Sequence, residues 1–340
     1  MQPYRIAGHL CRPLILALSC LVAQPLLAEE TLRILTWPGY ADSDLVQEFA
    51  ERYGVKVDVS LVSSDDSLRE KLSANRGGNY DVFAANTAEI QYYIEQQLVQ
   101  PLQANDMPNT KRQLWRFRNL QSIPGITQGT ATYAIPYTYA EMGLIYDRQQ
   151  FPVPPDSLAS LWDPQYRGRV LAYDGSSHNY SIARLLQGGA PFQIAEQDFP
   201  AVNAKLIELR RNVLTFYSLP EESVSLFREH KIALLYANYG RQQLKLLQDA
   251  GADVGYVIPK EGALAWLDCW AITRRSTQVA LAAEWINYML DPALSREFTR
   301  RQGLANTLEE PPALSGDVPM GPIVWLEPVE DETRRAQLWQ

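Results

Sequence analysis

The chain is poor in the residues that build metal and redox sites: its 340 residues hold three cysteines and three histidines. No histidines pair at metal-ligand spacing, so a His/Cys metal centre has little to be made from. Basic side chains are also in short supply, 31 Lys and Arg against 39 Asp and Glu, for a formal net charge of −8. A nucleic-acid binder is excluded on that balance, because it needs a basic face to neutralise phosphates. Enzyme signatures are missing too. There is no Gly-x-Ser-x-Gly elbow and no Gly-x4-Gly-Lys phosphate loop, and neither His178 nor His230 sits in a catalytic motif. Covalent chemistry, a cofactor and a metal are therefore not expected. What is present is an ordinary globular balance, 46% hydrophobic and 21% charged, with 18 tyrosines and 8 tryptophans. The length suggests about two domains.

Residues 1–28 contain Arg5, His9 and Arg12 and no acid, followed by the apolar run Pro13–Val22. That run is well short of the roughly 20 residues that span a bilayer. A basic start, a short apolar middle and a small residue before charge describe a secretory signal peptide, cut after Ala28 and directing the chain to the periplasm. Its removal takes away two arginines, so the mature charge becomes −8 − 2 = −10. It also removes Cys11 and Cys20, leaving Cys269 without a disulfide partner and suited to a buried core position. No other long apolar run follows, so the mature chain is expected to be soluble.

Thr31–Thr36 alternates apolar and polar residues and reads as a strand. Trp37-Pro-Gly-Tyr40 is a turn, and Asp42 or Ser43 then caps a helix with Leu45, Val46, Phe49 and Ala50 on one face, ended by Gly54. Val55–Leu61 is a second strand, residues 67–75 a second helix, and Tyr80–Ala85 a third strand ending at Asn86-Thr87. Further along, Val170–Tyr173, Lys231–Tyr236 and Asp253–Ile258 read as strands, residues 174–179 as a loop, and residues 199–212 and 277–290 as helices. This alternation predicts an α/β fold with mostly parallel, covered sheets. The turns after the strands lie at the carboxyl edge, where open α/β sheets bind ligands.

Several segments together resemble the periplasmic spermidine/putrescine-binding proteins of bacterial ABC transporters. They are Leu35-Thr-Trp37-Pro-Gly-Tyr40, Tyr80-Asp-Val-Phe, Ala134–Tyr146, Ser160–Val170, Trp266-Leu-Asp268 and Glu284–Pro292. The resemblance covers nearly the whole mature chain. It implies a two-lobed periplasmic binding protein fold of type II, with a ligand cleft between lobes and more than one chain crossing. On that basis, residues 29–135 with about 262–310 form one lobe, 136–261 the other, and 311–340 a C-terminal segment.

The resemblance also implies the site. The Trp-x-Asp carboxylate, here Asp268, pairs with a ligand ammonium in that family, and charge-assisted hydrogen bonds of this kind strengthen when closure excludes water. Trp266 shares a face with Asp268 if the segment is a strand. Trp37 and Tyr40 offer aromatic faces to an alkyl ammonium. Tyr236 stands where the family usually carries Trp, and Asn86 where it usually has Ser. One departure bears on the ligand. Polyamine binders carry an additional acidic pair after the strand equivalent to Val170–Tyr173, and here the aligned positions are Gly175 and His178. Losing that charge favours an ω-amino acid such as aminovalerate or aminobutyrate, its carboxylate held by Ser176, Ser177 and His178. Intact polyamine specificity stays open, as does restoration of the charge by Glu141. The expected partners are a small cationic or zwitterionic amine and an inner-membrane ABC permease, with the protein acting as a monomer. The alternative is a ligand-sensing subunit of a periplasmic signalling system using the same cleft.

Overall fold

The computed structural model describes Met1 and residues 30–311 and 321–340. Residues 2–28 of the expected signal peptide, and most of the Pro/Gly-rich stretch before Pro322, lie outside the described residues.

Thr31–Thr36 pairs in parallel with both Lys56–Leu61 and Val82–Asn86. The helices between them begin and end where side chains dictate. Ser43–Tyr53 is closed by Gly54 in the left-handed region, and Asp65–Ser73 is capped by Ser64, whose Oγ accepts the Ser67 N–H at 3.1 Å. The second helix thus starts at Asp65, ahead of the expected residue 67. These strands belong to a seven-stranded sheet that also holds Ala134–Glu141, Ala263–Ile272, Ala305–Asn306 and Ile323–Trp325. The second sheet has five strands, in the order Val254–Val257, Leu144–Asp147, Leu234–Tyr236, Val170–Tyr173, Thr215–Tyr217.

The sheets are mixed, against the expectation of mostly parallel ones. Ala263–Ile272 runs antiparallel to both Val82–Asn86 and Ala134–Glu141, and Leu144–Asp147 antiparallel to its two neighbours. The reason is topological: these strands carry the chain between sheets and enter each sheet from the opposite end. A second difference lies at residues 174–179. The helix Ser176–Leu186 takes most of that segment, leaving Asp174-Gly175 as the loop.

The chain leaves the first sheet at Glu141 and enters the second at Leu144, so the sheet extends beyond residue 135. The link is tight. A Cβ on Gly143 would lie 2.5 Å from the Val257 carbonyl oxygen, which only glycine avoids. The return passes through residues 258–262 into Ala263–Ile272, and the Met142 N–H donates to the Leu264 carbonyl at 2.6 Å where the two crossings touch. A third crossing follows Ile323–Trp325, which pairs with Ala263–Ala265. The chain then ends in the helix Glu332–Trp339, whose buried Arg335 donates to the Ser177 carbonyl and Ser181 Oγ of the second lobe.

Each sheet has its own apolar cores. On the first, Trp270 and Trp285 meet edge to face at 6.0 Å, with Phe49, Tyr137 and Met289 in the same cluster. On the second, Tyr180, Ile182, Phe199 and Tyr236 pack together. Cys269 is buried and free.

Candidate functional site

The first element of the site is the turn Trp37–Tyr40. Pro38 presets its own φ, Gly39 takes φ 83°, and the Tyr40 N–H donates to the Trp37 carbonyl at 3.2 Å. That is a type II turn, with proline and glycine where the geometry needs them. Gly39→Ala is expected to cost about 1–2 kcal/mol, because an L side chain resists the left-handed region. Denaturant unfolding of the variant measures it. The turn buries Tyr40 between Tyr137 and Phe298, with ring centroids 5.6 and 5.5 Å away. The Tyr40 hydroxyl donates to Asp268 Oδ2 at 2.7 Å. Trp37 is half-buried, and its Nε1 has no hydrogen-bond partner.

Asp268 sits mid-strand in Ala263–Ile272, where the register against Ala134–Glu141 slips by one residue. Asp268 faces Thr138 and Cys269 faces Pro136, so Tyr137 is the bulged residue. Pro136 has no N–H to give the ladder, which is where a bulge is tolerated. Asp268 is 7% exposed, and among the described residues it has no cationic partner. Burial pushes its carboxyl up to about 7, with the Tyr40 hydrogen bond pulling the other way. Two residues earlier, Trp266 packs against the cores of both sheets and donates Nε1 to the Asn238 carbonyl at 3.0 Å. The indole therefore joins the two lobes at the site.

Asn86 is the antiparallel Cα partner of Asp268. Its Oδ1 caps the helix Thr87–Glu95 by accepting the Glu89 N–H at 3.1 Å, and its Nδ2 donates to Asp65 Oδ1 at 3.3 Å. Asp65 is the residue that sequence reasoning passes over. The same carboxyl-edge rule that singles out the turns after the first and third strands reaches the segment after Leu61. Nothing in Ser63-Ser-Asp65-Asp66-Ser67 separates the exposed Asp66 from the half-buried Asp65. Burial, together with the nearby Glu89 and Asp268 carboxylates, raises Asp65 well above the ordinary range.

From the second lobe, Tyr173 and Tyr239 meet edge to face at 6.1 Å, and the Tyr239 hydroxyl donates to the Ser218 carbonyl at 3.0 Å. Burial and the Asp65 charge raise Tyr173 to about 12. His178 stands edge-on to Tyr173 at 5.3 Å and lines a cavity of about 200 Å³ with Asp65, Asn86, Ser177 and Glu332. Burial and the Arg335 charge push His178 down to about 4, so it is neutral at neutral pH.

The structure thus brings Trp37, Tyr40, Asn86, Trp266 and Asp268 into one connected set, with His178 across the cleft beside Asp65. It does not bring Tyr236 there. That side chain is fully buried in the second lobe, its hydroxyl 3.4 Å from Met142 Sδ, and Tyr239 takes the position nearer the cleft. Glu141 does not replace the missing charge, since Arg241 lies 3.8 Å from its carboxylate. Asp174 is exposed and receives Trp339 Nε1 at 2.9 Å from the C-terminal helix.

Residues 44–323 match the family described as bacterial extracellular solute-binding protein. Among curated relatives, the spermidine/putrescine-binding periplasmic protein 1 of Haemophilus influenzae is 25% identical, over 88% of this chain and 81% of its own length. The putrescine-binding periplasmic protein PotF of Escherichia coli is 23% identical over 91% and 89%. Among solved structures, the TpPotD lipoprotein of Treponema pallidum superposes with a TM-score of 0.75 at 17% identity, over 91% of this chain and 97% of that one. That likeness fixes the fold as the two-lobed α/β architecture of substrate-binding proteins.

Proposed function

The chain belongs to the bacterial extracellular solute-binding proteins, and on that premise we propose that it is the periplasmic component of an ABC transporter for polyamines or related small amines. The observation that carries this is Asp268: a carboxylate held by Tyr40, flanked by Trp266, almost fully removed from water and without a cationic partner among the described residues. A buried unpaired charge is costly, and a ligand ammonium relieves that cost. The two sheets are the lobes, divided after Glu141 and again before Ala263. Ligand held between them stabilises the closed arrangement, and the closed shape is what the permease distinguishes. The work is done by binding alone, with no bond made or broken.

A thermal-shift series on the mature chain tests this. Putrescine, spermidine, aminovalerate and aminobutyrate are each titrated, and a ligand that binds only the folded state raises the melting temperature by mass action. At least one amine is expected to stabilise by about 2.7 kcal/mol at 100 times its Kd. If none moves the transition while chemically unrelated solutes do, the amine assignment fails.

A further inference from the structure

The family match stops at residue 323, and the chain beyond Trp325 runs back to the second lobe. It is fastened there along its length. The Glu330 N–H donates to the Phe192 carbonyl at 3.1 Å, and the Glu330 carboxylate accepts the Ile194 N–H at 3.1 Å. Arg334 pairs with Glu196, and Trp339 Nε1 donates to Asp174. Arg335 is fully buried; it donates to the Ser177 and Pro191 carbonyls and the Ser181 hydroxyl, and pairs with Glu330 at 2.6 Å. The helix Glu332–Trp339 is therefore part of the second lobe in all but sequence.

Among the described residues, Glu332 is the member of that helix with an ion pair to the first lobe. Its carboxylate accepts an Arg69 amino group at 3.0 Å. Arg69 is fixed within the first lobe. Its Nε and the same amino group grip Glu89 on the helix Thr87–Glu95, and its guanidinium lies over Tyr92, 5.2 Å from the ring centre. Glu332 is fixed on its side too. It opens its helix, where Asp331 Oδ1 caps the first turn by accepting the Arg334 N–H at 2.9 Å. Neither partner can follow the other when the lobes part, so the contact belongs to the closed arrangement and is lost on opening. The tail's other bond to the first lobe, from Thr87 Oγ1 to the Leu326 carbonyl at 3.2 Å, sits beside the crossing strand Ile323–Trp325 and acts at the pivot.

We propose that Glu332 is a positioning residue for ligand binding: through Arg69 it latches the lobes together and sets how much of the protein stands closed. This rests on the amine-binding function proposed above, and it adds a control on that function from a helix outside the matched family residues. The latch is weak by construction. The Glu332 side chain is 57% exposed, and Arg69 keeps its bonds to Glu89 when the pair breaks, so no buried charge is stranded. A carrier needs such a latch, since it opens to load and opens again to release. Apparent affinity scales with the fraction of protein in the competent state, so loss of the latch weakens every amine by one factor.

Calorimetry and release kinetics on the full mature chain, with putrescine and butylamine, test the assignment. Small-angle X-ray scattering of the same proteins without ligand reads the lobe arrangement directly. Glu332→Gln is compared with Glu327→Gln, which removes the same charge from an exposed residue of the same tail that has no ion pair among the described residues. Glu332→Gln is expected to weaken both amines alike, by about 2- to 5-fold, through faster release, and to enlarge the radius of gyration of the empty protein. Glu327→Gln is expected to match the wild type in all three readings. Unchanged affinity in Glu332→Gln overturns the latch and leaves the amine function standing. So does an equal loss in both variants, which marks the long-range pull of any acid on a cation. A loss for putrescine alone also overturns it, because it puts Glu332 on the ligand. Failure of the wild type to bind either amine overturns the amine function, and the radii of the empty proteins then still decide whether Glu332 holds the lobes.

Discussion

Asp268→Asn is expected to weaken amine binding strongly and to stabilise the empty protein. The two effects have one cause. The carboxylate is nearly buried and, among the described residues, its side-chain partner is the Tyr40 hydroxyl at 2.7 Å. Asn keeps an oxygen that accepts this hydrogen bond, so the local packing survives. What it lacks is the charge. Removing one member of a buried charge pair costs about 2–5 kcal/mol of binding, a loss of roughly 30- to 4,000-fold in Kd. The empty protein changes in the opposite direction, since at pH 8 it no longer holds an uncompensated charge away from water; a gain of up to about 4 kcal/mol is expected. Calorimetric titration and thermal unfolding on the same two proteins read both signs. An unchanged Kd removes Asp268 from the ligand site, and a less stable empty variant removes the argument that the charge is unpaired.

The pH dependence of that difference follows from the same carboxyl. Its folded value is raised to about 7, against roughly 3.9 in an unfolded chain. Between those limits the folded state binds more protons than the unfolded state, so Asp268 lowers stability progressively as pH rises from about 4 to about 7. Below that window both states are protonated and the penalty vanishes; above it the penalty is complete. The slope approaches 1.4 kcal/mol per pH unit, roughly. Asp65 and Glu89, both raised by burial, act in the same sense. His178, pushed down to about 4, acts in the opposite one: its stability is lost as pH falls from about 6.5 through that value. The wild-type curve is therefore a balance, and the wild-type minus Asp268→Asn difference isolates Asp268. The variant's advantage is expected to be small at pH 4.5 and to grow up to about pH 7, then level off. Amine affinity of the wild type runs in parallel, tightening as the carboxyl ionises while the amine stays charged. A difference that is flat with pH, or that shrinks as pH rises, would show that Asp268 is not buried as described.

The parts of this site written in local chemistry are legible in the sequence. Pro38-Gly39 names its turn, Ser43 begins the first helix and Gly54 stops it, and Trp266 shares a face with Asp268 because strand parity is two. The parts that depend on what lies across the cleft are not. Asp65 and Asp66 are neighbours with the same side chain, and only the packing around them, from Asn86 and Glu89 to His178, leaves one half-buried and the other exposed. Tyr236 and Tyr239 differ in the same way. The strand Leu234–Tyr236 is buried on both faces, so alternation says nothing about which tyrosine turns outward. The helix beginning at Ser176 hides behind Gly175, which reads as a loop residue until the C-terminal Arg335 is seen holding the first turn.

The order in which the chain crosses between lobes also sets the order in which it can fold. Ala263–Ile272 lies inside the first sheet, between Val82–Asn86 and Ala134–Glu141, yet it is made after the whole second lobe. Until it arrives, the strands before it present unpaired edges and no finished core. The second lobe is nearly contiguous, but it too is completed from the C-terminal end, where buried Arg335 and Trp339 dock on it. A growing or threading chain therefore cannot complete its first sheet until Ala263–Ile272 has been made, and pairing across so long a stretch of sequence is slow. That delay leaves the leading strands Thr31–Thr36 and Val82–Asn86 for longest without the neighbour that completes their sheet.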